Sequence, residues 1–459
     1  MNDPVAHFDV VVIGGGGGLT AAYHAERDGR SVALVEARAD ALGGTCTNRG
    51  CLPTKGLIES ARVLKTIRQA SKHGIHLDQT SVRPDFGGIL EEVRTARARR
   101  AEGVRKWVEG SFTPYYGKAR FVAPKVLEME DGRRLTGDHI FIATGARPAV
   151  PPIPGLGDLS YLTNESVLEL TEQPSSLLVL GGGYIGCELA HFFSALGTEV
   201  TMVERGQRLL QEDEDISELF TREFSQEVNL ILGAEAREAW QEGGRSFLEV
   251  TANGERRTLE ADALLVAAGR RPNTEALELE GTDVEVDEGG SIRVDEQLRT
   301  THPEIFAYGD VIGQGMFKHT SSYEGELAYR NAQGANRPVS YRANPHAVFS
   351  DPEIGSVGLT EAECREQGLN YRSAKVDYHK FAKGEIVGSP PGMAKVLVEE
   401  GTDRILGFHM AGPHAADLIH EVVVAMNAGD GTADLVRRTI HVHPTLPELV
   451  HKAFNSVEA

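Results

Sequence analysis

The sequence predicts an α/β protein built around parallel sheets, and three observations carry that expectation. From Phe8 onward, strand-like apolar runs alternate with amphipathic helical stretches. The chain has 51 glycines among 459 residues and only 6% aromatics, a composition suited to many strand-to-helix turns. Most telling is a near-repeat: "VVVIGGGGGLTAAYHAERDGRSVALVE" (10–36) parallels "LLVLGGGYIGCELAHFFSALGTEVTMVE" (177–204). Each copy reads as an apolar strand, a glycine loop, a helix, a second strand and a closing glutamate.

Two such copies imply two dinucleotide-binding, Rossmann-like domains. In a loop of this kind the first glycine makes the tight turn and the second lets backbone approach a pyrophosphate. The third lets the helix pack on the strand. The later copy places these glycines at Gly181, Gly183 and Gly186, with Glu204 closing the unit. In the earlier copy Gly14, Gly16, Gly18 and Glu36 take the same parts, but the span is one residue shorter. A run of five glycines can absorb that loss, because each tolerates positive φ and none carries a Cβ. Taken alone, the run could also be a merely flexible turn.

The totals bound the rest. On length the chain forms about three domains. A net charge of −20 argues against a nucleic-acid surface. The start, "MNDPVAHF", has no basic flank and no apolar core, which reads as no signal peptide. No apolar run is long enough for a membrane span. The four cysteines are too few for a disulfide scaffold, so in the cytoplasm, where these features place the chain, any disulfide would be catalytic.

"GGTCTNRGCLPTK" (43–55) is the most specific segment. Cys46 and Cys51 would sit about 140° apart on a regular helix, too splayed to bond. If they pair, the segment is distorted, and Gly43, Gly44 and Gly50 supply the freedom; otherwise they are two free structural thiols. Pro53 suits the first turn of the helix that follows. A thiol near that helix start would have a lowered pKa, and Lys55, on the face of Cys51, adds positive charge. Cys187 and Cys364 lack such surroundings and read as inert.

Near the end, "HVHPTLPE" sets His443 five residues before Glu448. Histidine needs little tuning to act as a general base for thiols, and a carboxylate would fix its tautomer. Thr445-x-x-Glu448 also reads as a capping box. His441 and His443 have metal-ligand spacing, but with no supporting ligand cluster no metal is expected. The arginines of "RTARARRAEGVRK" (94–106) read as a solvated helix face.

With these motifs in order, the chain resembles the flavin-dependent pyridine-nucleotide disulfide oxidoreductases over nearly its whole length, most closely their lipoamide branch. "GGTCTNRGCLPTK" resembles the family's redox-disulfide motif, "FIATGARP" (141–148) its flavin-domain crossover and "LGGGYIGCELA" its nicotinamide loop. "AAGRRPN" (267–273), "IFAYGDV" (305–311) and "HVHPTLPEL" (441–449) are similar to later family motifs.

The resemblance implies FAD and NAD as cofactors and four segments: an FAD domain (1–148), an NAD domain (149–270), a central segment returning to the flavin (271–344) and an α+β dimer-interface domain (345–459). It implies a Cys46–Cys51 disulfide. Glu36 would hold the adenosine ribose of FAD, Asp310 the ribityl chain, and Lys55, paired with Glu188, would sit near flavin N5. Cofactor contacts would also fall to Gly44, Thr45, Ala119, Ala143, Thr144, Gly145, Gly269 and His319. Glu204 would bind the 2′-hydroxyl of NAD and repel a 2′-phosphate, a preference softened by Arg205 and Arg208. Tyr184 gates the flavin's other face or simply packs.

In the family the His–Glu pair reaches a second subunit, so His443 and Glu448 would serve the partner copy's Cys46 in a homodimer. The substrate implied is a protein-bound dihydrolipoyl group, oxidised as NAD⁺ is reduced. His441 and "AGPHAADLI" (411–419) favour that branch, whereas Thr320 stands where it typically carries lysine. The rival readings are an NAD(P)H-dependent reductase of another disulfide and a non-catalytic flavoprotein docking subunit.

Overall fold

The computed structural model describes residues 4–457, so the first three residues of "MNDPVAHF" lie outside it. The chain divides into two compact units. One takes the chain up to Gly56, Gly88–Ala149 and Gly269–Val339; the other takes Leu57–Gly87, Val150–Ala268 and the chain from Ser340 on.

In the first unit β1 (Ala6–Ile13), α1 (Leu19–Arg27) and β2 (Val32–Glu36) form the expected strand–helix–strand. Short α2 (Gly44–Asn48) leads into α3 (Cys51–Gln69), which continues into the second unit, and α4 (Phe86–Ser111) returns. Then come β3 (Thr113–Tyr116), β4 (Ala119–Ala123), β5 (Val126–Met129), β6 (Arg134–Ile142) and β7 (Ala146–Pro148). The sheet runs β3-β2-β1-β6-β5-β4, and Ile305–Ala307 adds a parallel strand against β6. Parallel neighbours on both sides explain the unbroken apolar run Val10–Ile13, every residue of which is buried.

The expectation of parallel sheets holds at the centre of each unit and fails elsewhere. β4 and β5 pair antiparallel, because only two residues join them and a parallel crossover needs a dozen or more.

The second unit repeats the parallel core: β8 (Ser176–Leu180), α5 (Tyr184–Ala195), β9 (Glu199–Val203), α6 (Glu214–Phe224) and β10 (Asn229–Ile231). An antiparallel meander follows in β11 (Ala234–Glu242), β12 (Arg245–Ala252) and β13 (Glu255–Ala261), before β14 (Ala263–Val266) pairs parallel with β8. β12 buries Ser246, Leu248, Val250 and Ala252 in strict alternation, as a sheet with one covered face requires. Back in the first unit, β15 (Arg270–Pro272) pairs with β7, β16 is the Ile305–Ala307 strand, and α7 (Lys318–Ala332) packs on α1.

From Ser340 on, the second unit builds a separate antiparallel sheet. Its order is β17 (Pro345–Val348), β18 (Ile354–Gly358), β21 (Ile405–Ala411), β20 (Met393–Glu399) and β19 (Tyr371–Asp377). The helices here are α8 (Glu361–Glu366), α9 (Ala382–Ile386), α10 (Ala415–Asn427), α11 (Asp434–Arg437) and α12 (Pro447–Asn455). Sheet, α10 and α12 share one apolar core through Phe408, Val422, Leu449 and Phe454.

Candidate active site

The two glycine loops share their close backbone contacts but differ in path. A Cβ on Gly14 would lie 2.3 Å from Ala143 O, and one on Gly181 would lie 2.5 Å from Ala267 O. Both residues have positive φ, 112° and 111°. At the helix ends, a Cβ on Gly18 would meet Gly14 O and one on Gly186 would meet Gly181 O, each at 2.1 Å. The missing residue is taken out of the first helical turn. Cys187 N–H donates to Gly183 O, four residues back, whereas Leu19 N–H donates to Gly16 O, three back. The shortened loop is therefore a tightened, 3₁₀-like start to α1.

A carboxylate closes each loop. Glu36 accepts from Gly15 N–H at 2.8 Å and Arg38 N–H at 3.2 Å; Glu204 accepts from Gly182 and Gly206 N–H, both at 2.7 Å. Burial raises the Glu36 pKa, with the Gly15 amide pulling against it. Arg208 is committed to Glu214 at 2.6 Å and Glu218 at 3.0 Å.

Cys46 lies in α2 and Cys51 opens α3, so the helix is broken between them at Arg49 and Gly50, and Pro53 falls in the first turn of α3. The resemblance implies a disulfide between these two cysteines; in the structure both are thiols, Cys46 half-buried and Cys51 exposed. A hydrogen bond between them, then burial, pushes the Cys46 pKa up, against the charges of Lys318 and Lys55. Asn48 fixes α2: its amide donates to Leu42 O at 2.9 Å, Gly44 O at 3.1 Å and Ala41 O at 3.2 Å. Gly44 lets this segment touch the first loop, since its Cβ would lie 2.6 Å from Gly16 Cα; Thr45 separates it from Cys46.

Ala119 is buried at the start of β4, and Ala143 N–H donates to Ile13 O at 2.8 Å. Thr144 and Gly145 are tied to Asn273 through Thr144 Oγ1–Asn273 O at 2.8 Å and Asn273 N–H–Gly145 O at 2.9 Å. Gly269 accepts from Ala149 N–H at 2.9 Å. Asp310 pairs with Arg270 at 3.4 Å; burial raises its pKa and Arg270 opposes. His319 stacks on Phe317 with ring centroids 5.5 Å apart.

In the second unit Glu188 is buried, not a helix-surface carboxylate, and accepts from Phe349 N–H at 3.0 Å. Tyr184 opens α5. Cys187 and Cys364 are buried, and burial raises both thiols. His443 Nδ1 lies 2.8 Å from Glu448 Oε1, and the imidazole is 69% exposed. That contact, then the Thr445 amide, holds Glu448 below the usual carboxylate range. The capping box is corrected to half a box. Glu448 accepts from Thr445 N–H at 2.8 Å, but Thr445 Oγ1 donates to Val442 O, and Leu446 is the N-cap of α12. His441 is taken up by Glu421 at 2.6 Å.

Sequence reasoning missed Arg270, Ser321, Glu324 and Lys318. Arg270 Nε is buried with no hydrogen-bond partner among the described residues, Glu324 takes the buried Gly309 N–H at 2.7 Å, and Ser321 fills the space beside Gly17. The signal available was helical spacing: Ser321 and Glu324 follow Lys318 by three and six residues.

The model of the pyridine nucleotide-disulphide oxidoreductase family matches residues 8–328, and that of its dimerisation domain matches residues 344–454. Dihydrolipoyl dehydrogenase of Chlamydia muridarum is 34% identical over 450 residues, covering 96% of this chain and 95% of that protein. Mercuric reductase of Bacillus cereus is 33% identical over 447 residues, covering 96% and 70%. The HOCl-induced flavoprotein disulfide reductase RclA from Escherichia coli, solved as its Cu(II) complex, aligns with a TM-score of 0.87 at 29% identity. That alignment covers 99% of this chain and 100% of that one. Among the described residues no helix is long and apolar enough to cross a membrane.

Proposed function

We propose a function for this chain from the family it belongs to, the pyridine nucleotide-disulphide oxidoreductases, whose cofactors are FAD and NAD(P). The reading is a dihydrolipoamide dehydrogenase: oxidation of a protein-bound dihydrolipoyl group, with NAD⁺ reduced. The observation that carries it is the Cys46–Cys51 pair, two hydrogen-bonded thiols across a helix break. The first unit fits FAD. Its loop rejects any Cβ at Gly14 or Gly18, and the buried Arg270 Nε, without a hydrogen-bond partner among the described residues, lies beside Asp310 and suits a polar group of the cofactor.

In this reading His443, in a homodimer of the chain, takes a proton from the substrate dithiol at a second copy's active site. Glu448 on Nδ1 leaves Nε2 as the accepting nitrogen and stabilises the imidazolium. The substrate thiolate attacks Cys46 Sγ of the oxidised pair; that S–S bond breaks and Cys51 leaves as a thiolate. The second substrate sulfur then displaces Cys46, so the substrate departs as a disulfide and the pair has gained two electrons. FAD, when bound, supplies the route for those electrons to NAD⁺. Glu204 and the commitment of Arg208 to Glu214 and Glu218 support NAD over NADP. The same reading places the protein in the cytoplasm, where free thiols persist.

One observation favours a second reading, an NAD(P)H-dependent reductase of another disulfide. Thr320, where the lipoamide branch typically has lysine, is an uncharged side chain buried at 2% exposure in the first turn of α7. Anaerobic titration of the yellow holoprotein with dihydrolipoamide, then NAD⁺, separates them. Spectral change followed by NADH formation is expected. No response to dihydrolipoamide, with a response to NADH, would transfer the assignment to another disulfide.

A further inference from the structure

The structure brings a second lysine to the cysteine pair from a distant part of the chain. α7 begins at Lys318, and its first turn lies on the first glycine loop: a Cβ on Gly17 would sit 2.3 Å from Ser321 Oγ, and one on Gly309 2.6 Å from it. The same loop meets the cysteine segment on its other side, where Gly16 and Gly44 approach so closely that a Cβ on Gly44 would lie 2.6 Å from Gly16 Cα. Ser321 thus meets the loop at Gly17, the loop meets Gly44 two residues before Cys46, and Lys318 lies one turn before Ser321 in α7. Its Nζ donates to Ser322 Oγ at 2.8 Å, which restrains the side chain. The helix presents charge at 318 and a buried hydroxyl at 320.

We propose that Lys318 is a positioning residue for the redox pair: its tethered ammonium stabilises the thiolate of Cys46 and raises the fraction of that sulfur ready to react at neutral pH. The inference rests on the dithiol role given above to Cys46 and Cys51, but not on which substrate they serve. Among the described residues, Cys51 and Lys55 from α3 and Lys318 from α7 act on Cys46. Contact with Cys51 and burial hold the proton on, and of the two lysines Lys318 opposes this more strongly than Lys55. The influence is mutual. Crowding lowers the proton affinity of Lys318, while charge on Cys46 and then Cys51 raises it. A thiol beside a cation is the general arrangement for thiolate reactivity.

The role matters because His443, supplied by a second copy of the chain, takes its proton from the substrate and not from Cys46. A cation within the same unit favours the Cys46 thiolate without that base. Thiolate on Cys46 is needed whichever way the exchange runs, as a leaving group in one direction and as the attacking sulfur in the other.

The test is the pH dependence of iodoacetamide alkylation at Cys46. It uses the reduced, FAD-loaded full chain carrying Cys51→Ser, so that one sulfur titrates, with labelling read by peptide mass spectrometry. Buried Cys187 and Cys364 serve as internal references, and flavin absorbance confirms that each variant is assembled. Lys318→Gln is expected to slow alkylation at neutral pH about threefold or more and to move the profile to higher pH, the effect of losing one adjacent charge. Lys318→Arg is expected to restore both. A Lys318→Gln profile that overlays the parent, or a Lys318→Arg profile as displaced as that of Lys318→Gln, overturns the proposal. Failure of the lipoamide reading shows elsewhere, as a silent dihydrolipoamide titration with this alkylation profile intact.

Discussion

Lys395 Nζ donates to Asp213 Oδ1 at 2.7 Å with neither side chain exposed to solvent. The same ammonium reaches Asp215 at 2.6 Å and Glu361 at 2.7 Å, joining β20 to the start of α6 and to α8. Contact with three carboxylates outweighs burial and raises the Lys395 pKa. Asp213 also caps α6 through Asp215 N–H at 3.2 Å and takes Glu361 N–H at 3.0 Å. Lys395→Met would strand Asp213 as a buried, uncompensated carboxylate, at a cost of about 3–5 kcal/mol. Adding Asp213→Asn removes that charge while keeping an acceptor for the cap. Urea midpoints should therefore fall sharply for Lys395→Met and recover in part for the double variant; equal midpoints for the two would refute the electrostatic account.

Gly17 is crowded by one atom. Its Cβ would meet Ser321 Oγ at 2.3 Å, but the next neighbour, Ser321 Cβ, stands at 3.6 Å, an ordinary contact. Gly17→Ala alone should cost about 1–3 kcal/mol by overpacking and loosen FAD retention. Gly17→Ala with Ser321→Ala should hold flavin nearly as the parent does. Flavin released per mole of protein on gel filtration is the readout. Gly18→Ala offers no such rescue, because its Cβ would meet Gly14 O at 2.1 Å, and that backbone carbonyl cannot be substituted away.

Much of this was legible in the sequence because it is written locally. The near-repeat marked both parallel cores, and counting from Gly14 and from Glu36 located the residue lost from the first loop. The loss itself, a four-residue tie replaced by a three-residue tie at Leu19, depends on where the helix begins, and five identical glycines carry no record of that. The meander of β11 to β13 was readable and went unread: Gly243-Gly244 and Asn253-Gly254 are the hairpin turns on either side of β12, the strand that alternates. Lys318 and Arg270 were not readable. Each gains its meaning from a neighbour more than 30 residues away, Cys46 for one and Asp310 for the other, and no spacing rule reaches that far.

His346 Nε2 lies 2.9 Å from both oxygens of Glu212, whose Oε2 also accepts from Ser356 Oγ at 2.7 Å. Burial pulls the His346 pKa down, but the Glu212 contact wins and raises it. Glu212, penalised by burial, is held below the usual carboxylate range by His346. A raised histidine stabilises the fold below its unfolded pKa, about 6.5, and loses that contribution as pH rises through the folded value. A depressed glutamate stabilises above its unfolded pKa, about 4.3, and loses that contribution as pH falls through the folded value. The pair thus stabilises most between these limits. The Tm gap between the parent and His346→Gln should be widest near about pH 5.5 and narrow by about pH 9; a gap independent of pH would mean that His346 only packs.

Nucleotide choice provides the last prediction. Glu204 takes two loop amides at 2.7 Å, so Glu204→Ala removes both acceptors as well as a negative charge. It should lower kcat/KM for NADH about tenfold, the cost of one or two unmade hydrogen bonds. It should not by itself create NADPH use, because Arg208 remains held by Glu214 and Glu218. Glu204→Ala with Glu214→Ala and Glu218→Ala frees that guanidinium, a planar fork suited to a 2′-phosphate. The ratio of kcat/KM for NADPH over NADH should therefore rise modestly in the single variant, through loss of activity with NADH, and steeply in the triple variant, through gain with NADPH. Single-variant activity with NADPH equal to that of the triple variant would show that Arg208 was never the limiting cation, and Arg205, next to Glu204 in the chain, would be the residue to replace next.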